Sequence, residues 1–523
     1  GPVTSADASR FLVQSTFGPT IAEIERVKQV GMDAWITQQF DTPSMDSHWN
    51  YVAVRGGPLG KPPLPQLGQS INDLMESFWV QAIRGPDQLR QRTAWAYSQI
   101  FVISMFNSSL EINGDGVGSY HDMLTRNAFG NYRTLIEQVS THPAMGRYLS
   151  HIQNEKEDPT TGRLPDENYA REVMQLFSIG LWELNEDGSR RKDSSGKDIP
   201  TYDRNDVNGM AKVFTGWSWN SDANSFHWGF ENAAWNRPMR NFPEYHSTSE
   251  KRLLGTTIPA DTSGEESLRI AMDTLFNHPN VGPFIGKQLI QRLVTSNPSP
   301  AYVTRVSRAF ANNGAGVRGD MKAVIRAVLM DPEARDPSKL TDPNWGKLRE
   351  PVLRLGAWLR AFDVQPGTGG EYLGRYAIWN LEDPTDSLGQ NPFRAPSVFN
   401  WYRPGYAPPG EILESGLTAP EFQIIHATTV ASYVNFLDVV DGWGYGDDRM
   451  LAKDNYARER ALAENPAALI DHLNVLLVAG QMSAATRDTI LPAISAIPAT
   501  NAIDRVKTAI VLTMASPDFI VQK

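Results

Sequence analysis

The chain of 523 residues contains no cysteine. This absence excludes disulfide bonds, thiolate nucleophiles and cysteine-ligated zinc sites. No run of about 18 apolar residues occurs, so we expect no membrane-spanning helix. An excess of positive charge is also lacking, because the formal net charge is −10. The charge balance therefore disfavours a nucleic acid or an anionic membrane surface as the main partner.

Motifs of metal and nucleophile chemistry are missing as well. Neither HExxH nor His-x-His occurs among the 9 histidines, so the sequence predicts no transition-metal site. GxSxG is absent, which leaves the serine elbow of hydrolases without support. The stretch EINGDGVG (111–118) has oxygen ligands and glycines but lacks the full EF-hand spacing. We therefore expect no cofactor, with calcium at this stretch as an open alternative.

Helical periodicity dominates what is present. In ASRFLVQSTFGPTIAEIERVKQVGMDAWITQQF, apolar residues recur every three or four positions, and breaks at residues 18–20 and at Gly31 predict three short helices. Alternating apolar and polar runs bounded by turns are almost missing, so little sheet is expected. The sequence thus predicts a mainly α protein with one continuous helical domain over residues 1–523, either a bundle or an α/α toroid-like arrangement.

Four long loops interrupt the helical pattern. Residues 54–69 are rich in glycine and proline, and residues 185–205 are polar and hairpin-like. Residues 214–250 and 364–412 are aromatic and proline-rich. Loops of this length in a compact protein are usually functional or disordered, and an aromatic composition is a poor match to disorder. We therefore expect ordered loop insertions that gather on one face as functional surface.

Seven strings that occur in a fixed order carry a family resemblance. They are RFLVQSTFGPT, RQRTAWAYSQIFVIS, YHDMLTRNAFGNYRTLIEQVSTHPAMGRYLS, PDENYAREVMQLFSIGLWELNEDG, VFTGW, HPNVGPFIGKQLIQRLVTSNPSPAYVTRVSRAFANNGAGVRGDMKAVIRAVLMDPEAR and NWYRPGY. Together they resemble the large bacterial family catalogued as domain of unknown function 1800. The resemblance runs from about Ala6 to Lys523 and implies one continuous architecture.

The resemblance also implies a location and a candidate partner. Members of the family look like exported proteins of Gram-negative bacteria and planctomycetes, which implies a periplasmic or secreted protein. Gly1-Pro2 is typical of a cleaved tag, so we expect a signal peptide to have been removed. Members are often encoded beside sulfatase-like or phosphatase-like proteins, which makes a sulfatase-like protein a candidate partner. No family-wide reaction comes with the name.

The segment PDENYAREVMQLFSIGLWELNEDG contains the first candidate site. Pro165 suits the first position of a helix, which places Asp166 and Glu167 in the first turn, where carboxylates interact favourably with the helix dipole. Glu167 and Arg171 are spaced as an i,i+4 ion pair. Glu172 is left over beside the apolar stripe of the helix. Partial burial there would raise its pKa and suit it to general-acid catalysis.

A glycosidase needs two carboxylates, and the sequence offers several candidates. Glu172 or Glu167 would supply one carboxylate, and Asp122 or Asp206 the other. His121 precedes Asp122 and is a candidate base. The structural alternative is that the acids cap or pair at helix ends and that the histidine lies in the core.

Two aromatic loops supply candidate carbohydrate subsites. Residues 214–246 and 391–411 interleave aromatic rings with polar side chains, and rings with a polar rim stack on the faces of sugars. The structural alternative is that the rings anchor these loops onto the helices. We expect both loops to border one cleft. The candidate substrate-binding residues are Trp217, Trp219, Trp228, Trp235, His246, Arg171, Trp401, Tyr402 and Arg403.

These patterns favour an exported carbohydrate-active enzyme, in particular a glycoside hydrolase that holds a polysaccharide or oligosaccharide in an aromatic-lined cleft. Two alternatives stay open. A polysaccharide lyase would use His121 or His246 with a tyrosine as base and acid. A non-catalytic protein would bind glycan or assemble with a sulfatase-like partner, and its binding site would need aromatic rings but no pair of titratable groups.

Overall fold

Helices make up most of the regular structure. A computed structural model describes residues 1–57, 69–379, 381–385, 387–425, 427–441 and 450–523. The first half of the chain forms α1 (Ser5–Ser15), α2 (Ile21–Val30), α3 (Met32–Asp41), α4 (Gln69–Arg84), α5 (Gln88–Ser98), α6 (Ser108–Glu111), α7 (Gly114–Arg126), α8 (Tyr132–Thr141), α9 (Pro143–Tyr148), α10 (Asn168–Gln175) and α11 (Arg204–Val213). The second half forms α12 (Gly264–Phe276), α13 (Val281–Leu293), α14 (Pro300–Ala311), α15 (Met321–Met330), α16 (Pro332–Arg335), α17 (Pro351–Ala361), α18 (Glu411–Glu414), α19 (Ala427–Asp441), α20 (Ala457–Leu462), α21 (Pro466–Val478), α22 (Ala484–Ser495), α23 (Ala502–Ala515) and α24 (Pro517–Ile520).

Strands are short and scarce in the described part of the chain. They form three antiparallel pairs, namely β1 (Trp217–Ser218) with β2 (Arg240–Asn241), β3 (Lys251–Leu253) with β4 (Thr256–Ile258), and β5 (Lys347–Leu348) with β6 (Val521–Gln522). In the last pair Lys347 lies opposite Gln522, so the end of the chain is fixed just before α17. The prediction of a mainly α-helical protein is confirmed.

The three short helices expected at the start of the chain are α1, α2 and α3. The Thr20 hydroxyl accepts the backbone N–H of Glu23 at 3.1 Å and so caps the start of α2. Gly31 joins α2 to α3 with a φ of +85°, a conformation that a residue with a Cβ rarely adopts. The breaks read from the sequence therefore act through a side-chain cap and a glycine.

One hydrophobic core joins the two ends of the chain. It includes residues from Ala8 in α1 to Phe519 in α24. The Ser9 hydroxyl of α1 donates to the carbonyl of Val475 in α21 at 2.6 Å, which fixes the first helix against the C-terminal helices. No helix in the described ranges is both long and apolar enough to cross a bilayer.

The long loops connect helices that pack in this core. The expected loop at residues 54–69 falls mostly outside the described residues, because 58–68 are not among them. The loop at 185–205 follows α10 and forms two tight turns, with bridges from Leu184 to Arg190 and from Lys192 to Asp198. The loop at 214–250 holds β1 and β2, and the loop at 364–412 lies between α17 and α18.

Candidate functional site: a basic cleft above a buried carboxylate

The acids at the start of α10 are occupied by helix capping and ion pairing. The Asp166 carboxylate accepts the backbone N–H of Asn168 at 2.8 Å, and α10 begins at Asn168. The expectation of a helix starting at Pro165 is therefore wrong, since this side-chain turn delays it. Glu167 accepts from Arg171 and from Arg204, both at 3.1 Å, which confirms the predicted i,i+4 pair and adds a second cation.

Glu172 differs from its neighbours because its carboxylate is half-buried and has no ion-pair partner among the described residues. Its Oε2 is buried without a hydrogen-bond partner there. Burial raises the pKa of Glu172, and the Arg171 guanidinium opposes that rise. Burial raises the pKa of Tyr148 to about 12, and the negative charge of Glu172 adds to that rise. Glu172 is thus the one candidate acid near α10 that neither caps nor pairs.

Asp122 and His121 lie in α7 and serve the packing of that helix. The two oxygens of Asp122 accept the backbone N–H groups of His48 and Trp49 at 2.7 and 2.8 Å. Burial raises the pKa of Asp122 to about 7, and these two hydrogen bonds limit the rise. His121 is half-buried with its ring edge-on to Phe393 at 4.6 Å, and desolvation of the ring lowers its pKa well below the usual value. Neither side chain lines the basic cleft described below.

Asp206 is also used by the fold. It forms a capping box with Asp203 at the start of α11, and its second oxygen accepts the backbone N–H of Leu254 at 2.8 Å. No hydrogen bond or ion pair of the described residues joins Asp206 to Glu172. The proposed pairing of Glu172 with Asp122 or Asp206 therefore has no support in the contacts of these side chains.

Most rings of the 214–246 loop point into the protein. Trp217, Trp219 and Trp235 are between 2 and 5% exposed. Trp219 stacks on Phe230 at 4.1 Å, and Trp235 packs so closely on α7 that a Cβ at Gly116 would lie 2.3 Å from its ring. The interpretation of these three tryptophans as sugar-stacking subsites is therefore wrong for this conformation, because their faces are covered by other side chains.

The two remaining candidate residues of this loop, His246 and Trp228, differ in exposure. His246 is buried, and its Nδ1 donates to the carbonyl of Thr215 at 2.8 Å, so it fixes the loop rather than facing solvent. Burial lowers the pKa of His246. Trp228 is 81% exposed and is the one candidate tryptophan of this loop whose ring is free to meet a ligand.

The 391–411 loop borders a cleft of about 410 Å³. The opposite walls come from α13, from the end of α10 and from the turn that follows α10. No residue of 214–246 lines this cleft, so the expectation that both aromatic loops border it is not met. The residues that line it are Gln99, Ile100, Gln175, Leu176, Gly180, Leu181, Trp182, Leu184, Arg190, Pro283, Phe284, Lys287, Gln288, Gln291, Arg292, Val398, Phe399, Tyr402, Arg403, Pro404, Gly405 and Thr418.

The charges of this cleft are all positive. Its lining includes Arg190, Lys287, Arg292 and Arg403, but no aspartate or glutamate among the described residues. Arg190 pairs with Asp198 outside the lining at 2.9 Å. The Arg403 guanidinium lies 4.1 Å from the ring centre of Phe399. Burial lowers the pKa of Lys287. A cleft with this lining is electrostatically suited to an anion.

Two of the predicted binding residues, Tyr402 and Arg403, do line the cleft. Trp401 instead packs on Trp95 of α5, with 5.6 Å between ring centres. Arg171 pairs with Glu167 on the exposed side of α10. Of the nine residues proposed to bind substrate, the cleft therefore holds two.

A buried carboxylate lies directly beneath the cleft. Glu350, the residue before α17, accepts hydrogen bonds from the Tyr402 hydroxyl at 2.5 Å, from the amide of Gln99 at 3.2 Å and from the indole of Trp95. Burial by itself raises the pKa of Glu350, but the cations Lys347 and Arg92 and the hydrogen bonds from Tyr402 and Trp95 together outweigh burial and hold the pKa below its usual range. Glu350 is therefore an anion that orients the floor of the cleft.

Further charges surround this anion. Lys347 pairs with Glu421 at 3.1 Å, and both side chains are at most 1% exposed. Lys347 and Arg92 each donate to the carbonyl of Arg292 at 2.7 Å. Arg292 in turn donates to the carbonyl of Gln99 at 3.2 Å, which holds its guanidinium at the cleft. The floor of the cleft is thus fixed by a network of buried charges.

The sequence reasoning missed this network. One signal was available, because Lys347, Arg349 and Glu350 stand immediately before Pro351 and an apolar helix. Charged residues beside a helix that is buried on all sides must themselves be buried and paired. Nothing local, however, indicates that α5 and the 391–411 loop supply the partners.

The described residues contain no group of side chains that could bind a metal ion. No three His, Asp or Glu side chains there are arranged to hold an ion. The stretch 111–118 runs from the end of α6 into α7 rather than forming a loop, and the Asp115 carboxylate accepts the backbone N–H of Gly116 at 2.8 Å. The calcium alternative stays an untested prediction.

Fold and site together define a mainly α-helical protein with a basic, ring-bordered cleft. The family model described as a protein of unknown function (DUF1800) matches residues 10–521, so the chain belongs to the DUF1800 family. Comparisons with curated proteins and with solved structures find no match.

Proposed function

We propose that the protein binds an acidic carbohydrate, one that bears carboxylate or sulfate groups, in the cleft between α13 and the 391–411 loop. The observation that carries this proposal is the lining of the cleft, which has four basic side chains and, among the residues that the structure describes, no carboxylate. Arg190 already pairs with Asp198, but Lys287, Arg292 and Arg403 form no ion pair with a described carboxylate, and an acidic glycan would neutralise them whereas a neutral glycan would not. An exported location and a sulfatase-like partner, both implied by the family resemblance, belong to the same proposal.

The rest of the lining fits a sugar. The cleft volume of about 410 Å³ lies within the range of small-molecule sites. The side-chain amides of Gln175 and Gln288 can donate to and accept from hydroxyl groups, whereas the amide of Gln99 is already bonded to Glu350. Aromatic edges and faces at the rim supply apolar contact of the kind that sugar rings use.

The contacts favour binding over glycoside hydrolysis. A glycosidase places two carboxyl groups roughly 5–10 Å apart around the bond, and the described lining of this cleft contains none. Glu350 lies beneath the floor, where three donors already occupy its oxygens. Asp122 and Asp206 are held by backbone N–H groups elsewhere.

Hydrolysis stays a second candidate because of Glu172 alone. Gln175 and Leu176, which line the cleft, follow Glu172 by three and four positions and so share its face of α10. Its carboxylate is half-buried, unpaired and has a raised pKa, which are the properties of a general acid. In that case Glu172 would protonate the leaving oxygen at the edge of the cleft.

Binding and catalysis are separated by one panel experiment. We would titrate the protein with oligogalacturonate, with a sulfated carrageenan oligosaccharide and with neutral cello-oligosaccharide, and would follow reducing ends and absorbance near 235 nm in the same samples. We expect the acidic oligosaccharides to bind, the neutral one to bind at least tenfold more weakly, and the affinity to fall as salt rises. Preference for the neutral sugar would overturn the proposal.

Substitutions of cleft residues test whether the acidic sugar binds in this cleft. Lys287→Met and Arg403→Met each remove one cleft cation, and each should weaken binding of the acidic sugar about tenfold. Lys28→Met changes the net charge of the protein equally, but it lies on α2 and pairs with Glu25 at 3.3 Å. If Lys28→Met weakens binding as much as Lys287→Met does, the anion is attracted by overall charge and not by this cleft.

A further inference from the structure

A second cavity lies between α17, α19 and the end of the chain. Its volume is about 340 Å³, and it is enclosed by the start of α17, by α19 and by the C-terminal segment α24–β6. Its walls are almost entirely apolar and include Leu348, Leu388, Phe422, Val434 and Ile520. This cavity shares no lining residue with the basic cleft.

One charged side chain, Arg354, faces this apolar space. Among the described lining residues it is the only charged one. It is 4% exposed, and its guanidinium lies 4.7 Å from the ring centre of Tyr433. Its Nε donates to the carbonyl of Arg349 at 2.7 Å, but its Nη2 is buried without a hydrogen-bond partner in the described chain. A buried guanidinium N–H without an acceptor is costly, and a ligand acceptor would remove that cost.

The charges around Arg354 do not neutralise it by contact. Glu350, one turn earlier, is a carboxylate that acts on it, but Trp95, Gln99 and Tyr402 donate to the oxygens of Glu350. A second buried cation, Arg349, is close enough to act on Arg354, and its guanidinium lies 4.2 Å from the ring centre of Phe519. The closed end of the cavity is therefore positive, while its walls are apolar.

The open side of the cavity is apolar as well. Val430 and Val434 of α19 line it, and these side chains are 55% and 47% exposed. Two large apolar side chains at the mouth of a cavity with a cation inside form a gradient from apolar to charged. That gradient is complementary to a molecule with an apolar tail and an anionic head.

We propose that this cavity binds an anionic amphiphile, specifically a carboxylate with an alkyl chain. The carboxylate accepts hydrogen bonds from Arg354, and the alkyl chain lies along Leu348, Phe422 and Val434. The volume of about 340 Å³ is at the lower end of the range of small-molecule sites, which suits one alkyl chain and not a multi-chain lipid. The inference is independent of the carbohydrate proposed for the cleft.

The test uses the full chain and calorimetric titration with dodecanoate below its micellar concentration. The matched probe is dodecyltrimethylammonium, which has the same tail and the opposite charge. We expect dodecanoate to bind with a stoichiometry near one and at least tenfold more tightly than the cation. Equal affinities, or no saturable binding of dodecanoate, would overturn the proposal.

Two variants test whether dodecanoate binds in this cavity. Arg354→Met keeps the length of the side chain and removes its charge, and it should weaken dodecanoate binding at least tenfold. Val434→Glu places a like charge at the mouth and should do the same, which keeps the test decisive if Arg354→Met does not fold. Arg487→Met is the control, because this side chain of α22 pairs with Asp471 and does not line the cavity. Unchanged binding in a folded Arg354→Met or in Val434→Glu overturns the proposal, as does a dimer that buries Val430 and excludes dodecanoate.

Discussion

The Tyr402 hydroxyl donates a hydrogen bond of 2.5 Å to Glu350, and this bond joins the wall of the basic cleft to the anion beneath it. Tyr402 belongs to the 391–411 loop and Glu350 to the start of α17, so the contact also fixes the loop on the helical core. The guanidinium of Arg292 lies 5.3 Å from the centre of the same tyrosine ring. The position of the cleft cation therefore depends on this tyrosine.

Tyr402→Phe tests that relationship. The variant keeps the ring beneath Arg292 but leaves a buried carboxylate with one donor fewer, so we expect the free energy of unfolding to fall by about 1.5–3 kcal/mol. Urea denaturation measures it. Tyr406→Phe, in the same loop, removes the hydroxyl of a half-buried tyrosine and should change stability by less than about 0.5 kcal/mol. Equal effects of the two variants would show that the bond to Glu350 contributes nothing.

The Lys347–Glu421 pair gives a second prediction. Lys347→Met strands a buried carboxylate and should cost about 3–5 kcal/mol of unfolding free energy, and Glu421→Gln should be similar because it strands the ammonium. The double variant should cost about 1–3 kcal/mol less than the sum of the two. Arg487→Met, which breaks an exposed pair with Asp471, should cost under about 1 kcal/mol. Strict additivity would mean that the buried charges do not interact.

The helices could be predicted because their causes are local. The break at residues 18–20 contains the threonine that caps α2, and Gly31 itself adopts the conformation that separates α2 from α3. The start of α10 was predicted wrongly by the same kind of reasoning. Proline at position 165 is compatible with a helix, but the Asp166 side chain bonds to the backbone of Asn168 and so begins the helix three residues later.

The site could not be predicted because its parts are distant in sequence. Trp95 and Glu350 are separated by 255 positions, and Gln99 and Tyr402 by 303. Aromatic richness was also ambiguous, since it does not reveal whether a ring faces solvent or the core. The burial of Trp235 depends on Gly116 in another helix, which lacks the Cβ that would exclude the ring. Pairings of this kind follow from the assembled core and not from any local pattern.

The opposed exposures of Trp219 and Trp228 give a third prediction. Trp219 is buried against Phe230, so Trp219→Ala should create a cavity and lower the free energy of unfolding by about 3–5 kcal/mol. Trp228 is 81% exposed, so Trp228→Ala should change stability by less than about 0.5 kcal/mol. Thermal or urea denaturation of both variants checks this. If Trp219→Ala is stable but no longer binds glycan, the ring of Trp219 forms a carbohydrate subsite after all.

Asp122 gives a prediction about pH. Its pKa is raised to about 7 in the folded protein, above about 4 in the unfolded chain, so the folded state holds a proton that the unfolded state releases. This contribution to stability is complete at low pH and is lost as the pH rises through 7. The free energy of unfolding should fall on the order of 2 kcal/mol between pH 5 and 8, and Asp122→Asn should abolish that part of the fall.

The comparison of the wild type with Asp122→Asn controls for other groups that titrate in the same pH range. Burial also raises the pKa of Glu76 to about 7, and Glu76 titrates in both proteins, so the difference between wild type and Asp122→Asn isolates Asp122. Urea denaturation at four pH values between 5 and 8 measures that difference. Parallel curves for the two proteins would mean that the N–H groups of His48 and Trp49 keep Asp122 ionised throughout.

Glu172→Gln decides whether the unpaired carboxylate of α10 has a catalytic role. The described contacts give Glu172 no ion pair, and burial disfavours its charge, so the substitution should leave stability within about 0.5 kcal/mol or raise it slightly. If Glu172 is a general acid, release of reducing ends from the acidic oligosaccharide should fall by a factor of about 100 or more, while affinity is retained.

Glu167→Gln, which loosens the pairs with Arg171 and Arg204, controls for the helix start and should leave any turnover unchanged. Binding without turnover in the wild type, with the same affinity in Glu172→Gln, would make the protein a binder and would leave Glu172 without a catalytic role. A strongly lowered stability in Glu172→Gln would contradict both outcomes, because it requires a buried partner that these contacts do not contain.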